Sequence, residues 1–212
     1  MEATLEKNYE EKHAGLEGAK MGMWLFLFTE LLLFGGLFAA YAVFHSVYAK
    51  DFEIAHHHLN RTIGFINTLI LITSSFTMAM GVWSAQTNRK KLLNIFLLLT
   101  ILLGVTFLVV KLTVEWPVKF HEGLYPGGKE FNHLIQEGHK GQALFFSLYF
   151  MLTGLHGLHV LVGVLVLTGI LIMALREKFS SEYYGPVEVS GLYWHLVDLI
   201  WIYLFPLFYL IK

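Results

Sequence analysis

The feature that most constrains this chain is a run of 34 residues, 142–175, without a single Asp, Glu, Lys or Arg. A bilayer core is crossed by about 20 apolar residues in a helix. The run therefore predicts one membrane-crossing helix over residues 141–176, long enough to tilt or to project beyond the hydrocarbon. Its first half carries LTGLHGLHVLVG (152–163). His156 and His159 are three apart, about 60° around a helix, with Gly163 on the same side. Small residues and imidazoles on one stripe predict a face turned to protein, because polar groups in a bilayer point at a bundle interior or a wet cavity. Interhelical hydrogen bonding is the plain expectation for the two histidines; metal ligation, lipid-headgroup contact and proton exchange are the sharper alternatives.

Four more stretches behave alike. Apolar residues make up 56% of the chain and charged ones 15%, with mean hydropathy +0.57, against about 25% charged in soluble domains. The expected fold is an all-α membrane protein with five transmembrane helices at about 22–44, 62–84, 92–114, 142–175 and 192–211. Residues 1–20 form a polar leader, part helical, ahead of a five-helix domain over 21–212. The leader lacks the basic-then-apolar build of a cleavable signal. Pro117 is expected to stop the third helix, YPGG (125–128) to form an ordered turn, and His56, His57 and His58 to lie in an exposed loop. Five crossings put the termini on opposite sides. Arg89, Lys90 and Lys91 crowd the shortest connection, which places the N-terminus in the cytoplasm by the positive-inside rule. A net charge of −1 gives no sign of nucleic acid as a partner, and zero cysteines exclude disulfides, iron–sulfur clusters and thiolate metal sites in this chain.

The chemistry-bearing residues are few. Glu30 is a lone carboxylate in an apolar helix, where a charge costs at least about 2.5–3.5 kcal/mol. It is either a proton-linked group or a protonated carboxyl bonded across helices. GLYWHLVDLIWIYLFP (191–206) is the most specific segment. His195 and Asp198 are three apart and are expected to bond along one face as a latch between the last two helices. Trp194, Asp198 and Trp201 follow an i, i+4, i+7 ladder. Asn67, Ser74, Ser75 and Glu115 are candidates for interhelical polar contacts. No phosphate loop, nucleophile–base pair or paired catalytic carboxylates can be found, so neither a catalytic nor a metal-ligating residue is assigned.

Taken together, GMWLFLFTELLLF (22–34), NTLILITSS (67–75), Glu115-Trp116, TGLHGLHV (153–160) and YWHLVDLIW (193–201) resemble subunit III of the haem–copper oxidases, the cytochrome c oxidase subunit 3 family. The resemblance spans the chain from Gly22 onward. It implies a seven-helix fold split by a lipid-holding cleft, here in a five-helix bacterial form without the first two helices. It also implies a chain without haem or copper of its own, in the bacterial inner membrane as a multi-pass protein. Such a chain packs on catalytic subunit I and other oxidase subunits that carry haem and copper, binds phospholipid, and supports proton uptake for O2 reduction to water. Glu30, His156, His159, Trp194, His195 and Asp198 would line the cleft or lock its helices. The alternatives are a quinol oxidase or nitric oxide reductase complex as the host and, from another class, a small membrane transporter.

Overall fold

A computed structural model describes residues 2–210, with side-chain surroundings described from Glu17 onward; the leader's earlier side chains and the end of the last expected span, 211–212, lie outside. It is built of helices, with only an isolated bridge between Ser180 and Tyr183 among the described residues. In chain order these are α1 (Glu2–Val47), α2 (Ala49–His56), α3 (Arg61–Gln86), α4 (Lys90–Val110), a π turn (Lys111–Glu115), α5 (Trp116–His121), α6 (Lys129–Gln136), α7 (Lys140–Leu175) and α8 (Gly185–Tyr209). Five segments are long and apolar enough to cross a membrane, at Glu17–Val47, Arg61–Gln86, Lys90–His121, Lys140–Leu175 and Gly185–Tyr209. At about 1.5 Å per residue α7 is about 54 Å long, well beyond a hydrocarbon core of about 30 Å.

Helices α3, α4, α7 and α8 pack as a bundle, and α1 leans on α7 and α8 from outside. Accordingly α8 is the most buried of the five spans and α1 the least. Asn60 starts α3: its side-chain oxygen accepts from the amides of Thr62 (3.0 Å) and Ile63 (3.2 Å), satisfying two of the donors a helix start leaves free. Asn88 closes the tight turn into α4 at φ 57°, a left-handed conformation that Asn tolerates.

Four expectations need correction. Pro117 does not stop the third span. The chain widens into the π turn, where the Trp116 amide reaches the Lys111 carbonyl five residues back, and α5 continues to His121. Proline lacks the amide that would bond back and its ring crowds the preceding turn, and a π turn just before it loosens that contact. The connection after the first span is mostly helical, because α1 runs to Val47 and α2 follows at once. His56 is buried, whereas His57 and His58 are exposed as expected. Finally, α8 begins at Gly185, several residues before the expected span, with Pro186 pre-set for a first helical turn. The turn around YPGG is ordered, with Gly127 at φ +89°, a backbone geometry that favours glycine.

Candidate functional site

Most of the buried polar groups fall on the faces where α1, α3, α4, α7 and α8 meet. At the α1–α7 contact, Glu30 Oε2 lies 2.9 Å from His159 Nε2. The other ring nitrogen, Nδ1, lies 2.7 Å from the Leu155 carbonyl, which can only accept, so Nδ1 carries a proton. Two arrangements then satisfy the pair: carboxylate against imidazolium, or carboxylic acid donating to neutral Nε2. Either way one proton lies between the Glu30 carboxyl and His159 Nε2. Tyr193 of α8 donates to the His159 carbonyl at 3.0 Å, and the Phe34 ring meets the imidazole edge-on.

His156 goes elsewhere. It is fully buried between the rings of Phe107 and Trp201, at 5.5 and 5.1 Å, and neither of its nitrogens has a hydrogen-bond partner. The two histidines thus share a helix but serve different contacts, one towards α1 and one into the α4–α8 seam. Their 60° separation is enough to split them because α7 is surrounded on several sides.

Trp194 occupies the centre of the bundle. Its ring is seated between two glycines, since a Cβ on Gly104 of α4 would lie 2.5 Å from ring atom Cη2, and one on Gly163 of α7 2.9 Å from Cε3. Its indole N–H donates to Ser74 Oγ of α3 at 3.1 Å. One side chain therefore joins α3, α4, α7 and α8. About two turns further along, Trp201 donates to Thr68 Oγ1 at 3.0 Å. A Thr77–Thr100 hydroxyl pair at 2.8 Å ties α3 to α4, a contact that sequence spacing alone does not reveal.

The expected His195–Asp198 bond does not form. His195 Nδ1 pairs with Ser75 Oγ at 2.8 Å instead. Asp198 is buried, and neither carboxyl oxygen has a hydrogen-bond partner. The Ser74 and Ser75 hydroxyls lie beside it but are committed to the Leu71 carbonyl, Trp194 and His195. Three residues along a helix also allow two side chains to diverge, and here each is drawn to α3. Asn67 is fully buried without a partner for its amide, so it makes none of the cross-helix bonds expected of it.

Glu115 sits in a cluster not legible in the sequence, because two of its members, Tyr149 and Tyr209, stand on other helices. Lys111 is 3% exposed, with Nζ 2.9 Å from Glu115 Oε2, 2.9 Å from the Tyr209 hydroxyl and 3.2 Å from the Tyr149 hydroxyl. Both tyrosines donate to Glu115 Oε1, Tyr149 at 2.6 Å. The available signal was the four-residue spacing of Lys111 and Glu115 just before a proline.

Between α1 and α8 lies an apolar groove of about 640 Å³, lined by Trp24, Phe28, Phe34, Phe38, Leu196 and Tyr203, with His195 at its wall. Among the described residues no cluster of three or more His, Asp or Glu is arranged to hold a metal. The geometry defines a class: a multi-pass helical membrane protein whose buried polar side chains join helices, with an apolar groove along one flank.

The model of one family, cytochrome c oxidase subunit III, matches residues 1–125 and 135–212. The chain belongs to the cytochrome c oxidase subunit III family. It is 33% identical over 195 residues to cytochrome c oxidase subunit 3 of Corynebacterium diphtheriae, covering 91% of this chain and 87% of the relative. It is 31% identical over 190 residues to cytochrome bo(3) ubiquinol oxidase subunit 3 of Buchnera aphidicola, covering 89% and 92%. It is also 31% identical over 194 residues to quinol oxidase subunit 3 of Bacillus subtilis, covering 90% and 85%. The chain is therefore a multi-pass inner-membrane subunit of a haem–copper oxidase, assembled with other oxidase subunits. Redox groups of such a complex, haem and copper, belong to those partner subunits.

Proposed function

We propose that this chain is subunit III of an aerobic cytochrome c oxidase, a non-catalytic subunit that docks on subunit I, holds lipid, and supports proton uptake during O2 reduction to water. The observation that carries this reading is the match to the cytochrome c oxidase subunit III model over nearly the whole chain, with the Corynebacterium diphtheriae relative beside it. A quinol oxidase is the second reading, favoured by the Buchnera and Bacillus relatives. The groove between α1 and α8 has the shape and apolarity to take an acyl chain. The shared proton of Glu30 and His159 would make that pair the proton-linked site, while Trp194 and His195 bond α8 to α3, His156 packs α7 against α4 and α8, and Asp198 lies buried beside Ser74 and Ser75. Residues 1–20 act as a leader to the membrane domain, and the crowded Arg89, Lys90 and Lys91 set the N-terminus in the cytoplasm.

The test is to purify the complex through a tag on this chain. Oxidation of reduced cytochrome c together with a dinuclear copper band supports a cytochrome c oxidase. Oxidation of quinol alone, without that band, replaces it with the second reading.

A further inference from the structure

The Lys111 cluster has no part in the reading above, yet it sets a lysine, whose ammonium would carry a positive charge, inside a membrane span. Such a charge is costly at depth and persists only when paired. Here the pairing is complete. Three oxygens surround Nζ: Glu115 Oε2 as the ion-pair partner at 2.9 Å, and the Tyr149 and Tyr209 hydroxyls as hydrogen-bond acceptors. Each tyrosine passes a hydrogen bond on to Glu115 Oε1, which closes a ring of four side chains. The ammonium also lies over three aromatic faces, 4.8 Å from the centroid of Trp201, 5.0 Å from Tyr149 and 5.5 Å from Tyr209. Several aromatic faces with a carboxylate are the chemistry that recognises alkylammonium cations.

The cage is drawn from separate elements. Lys111 and Glu115 occupy the two ends of the π turn, Tyr149 stands on α7, and Trp201 and Tyr209 on α8. We propose that Glu115, Tyr149, Trp201 and Tyr209 form an ammonium-binding cage, filled by the chain's own Lys111, which fastens α4, α7 and the C-terminal turn of α8 together within the membrane. Its occupant works as a fixed cation, and its counter-charge is Glu115 alone.

This assignment does not depend on the electron donor of the complex, and it makes a prediction that ordinary packing does not. Removing one member of a buried ion pair strands the other, whereas replacing both by apolar residues of similar volume is often neutral. The test uses the oxidase complex carrying Lys111→Met, Glu115→Leu, or both. The readout is the fraction of complexes that retain this subunit through a detergent and temperature series. Each single variant should lose retention at least tenfold, and failure to accumulate counts as such a loss. The double variant should return to within about threefold of the unaltered complex. Singles that behave like the unaltered complex, or a double variant no better than the worse single, would overturn the assignment.

Discussion

Replacing Gly104 by alanine tests the seat of Trp194 with a single methyl group. The new Cβ would lie 2.5 Å from Trp194 Cη2, 3.0 Å from Cζ2 and 3.1 Å from a Val164 methyl. Ordinary contact begins at about 3.5 Å, so the ring must move by about 1 Å. It has little room to move: Gly163 backs the other side so closely that a Cβ there would lie 2.9 Å from the ring, Ser74 tethers the indole nitrogen, and the ring is fully buried. Overpacking a rigid core costs about 1–3 kcal/mol and occasionally more. The clamp on both sides puts this case at about 3 kcal/mol, a factor of about 100 in the folded population. Gly169 is the control, because a Cβ there meets nothing within 4 Å. Gly169→Ala should change stability by at most about 1 kcal/mol. Both variants are compared by thermal retention of the subunit in the detergent-solubilised complex. If Gly104→Ala and Gly169→Ala melt together, Trp194 is not the clamped centre of this bundle.

Glu30→Gln should hold its contact, since an amide N–H can donate to His159 Nε2, and its stability should stay within about 1 kcal/mol of the parent. Glu30→Leu strands a mostly buried imidazole nitrogen and should cost about 1–3 kcal/mol. Equal melting of the two would remove the Glu30–His159 bond from the account, whereas a turnover loss in the well-folded Gln variant would support the proton-linked role. His56, outside the spans, bonds Arg61 at 2.6 Å, and burial, foremost, pulls its pKa below the usual 6.5. A histidine kept neutral by folding contributes stability that is complete above its unfolded pKa. That contribution shrinks as pH falls through about 6.5 towards the folded value. Hydrogen exchange in residues 49–61, corrected for intrinsic rates, should therefore rise between pH 7.5 and 5.5; no rise would contradict it. Lys90 and Glu177 pair at 2.7 Å on the surface, and Lys90→Ala should shift melting negligibly, as exposed pairs do. A shift as large as that of Gly104→Ala would show the connecting loops to matter more than the core.

The number and places of the spans were legible because uncharged length is dictated by the bilayer. The ends of the elements were less so. Pro117 reads as a stop in one dimension, but a π turn can absorb it, and no local pattern announces that turn. Glu30, His156, His159, Trp194, His195 and Asp198 were all picked out as polar groups too costly to waste in a membrane. Their partners were not legible, because spacing along one helix cannot say which neighbour each side chain meets. Hence His195 turned to Ser75 rather than Asp198, and His156 parted from His159. Lys111 was not singled out, for the opposite reason: a lysine near the end of a span usually reaches for water, and only Glu115 and two tyrosines on other helices reveal why this one does not.

The account rests on the claim that these buried ionisable groups hold helices together and that none of them holds a redox centre. The most direct measurement is to strip this subunit from the purified oxidase with detergent and assay haem and copper in both fractions. All of the haem and copper should stay with the remaining subunits, with an unchanged optical spectrum. Iron or copper leaving in stoichiometric amount with this chain would contradict the claim.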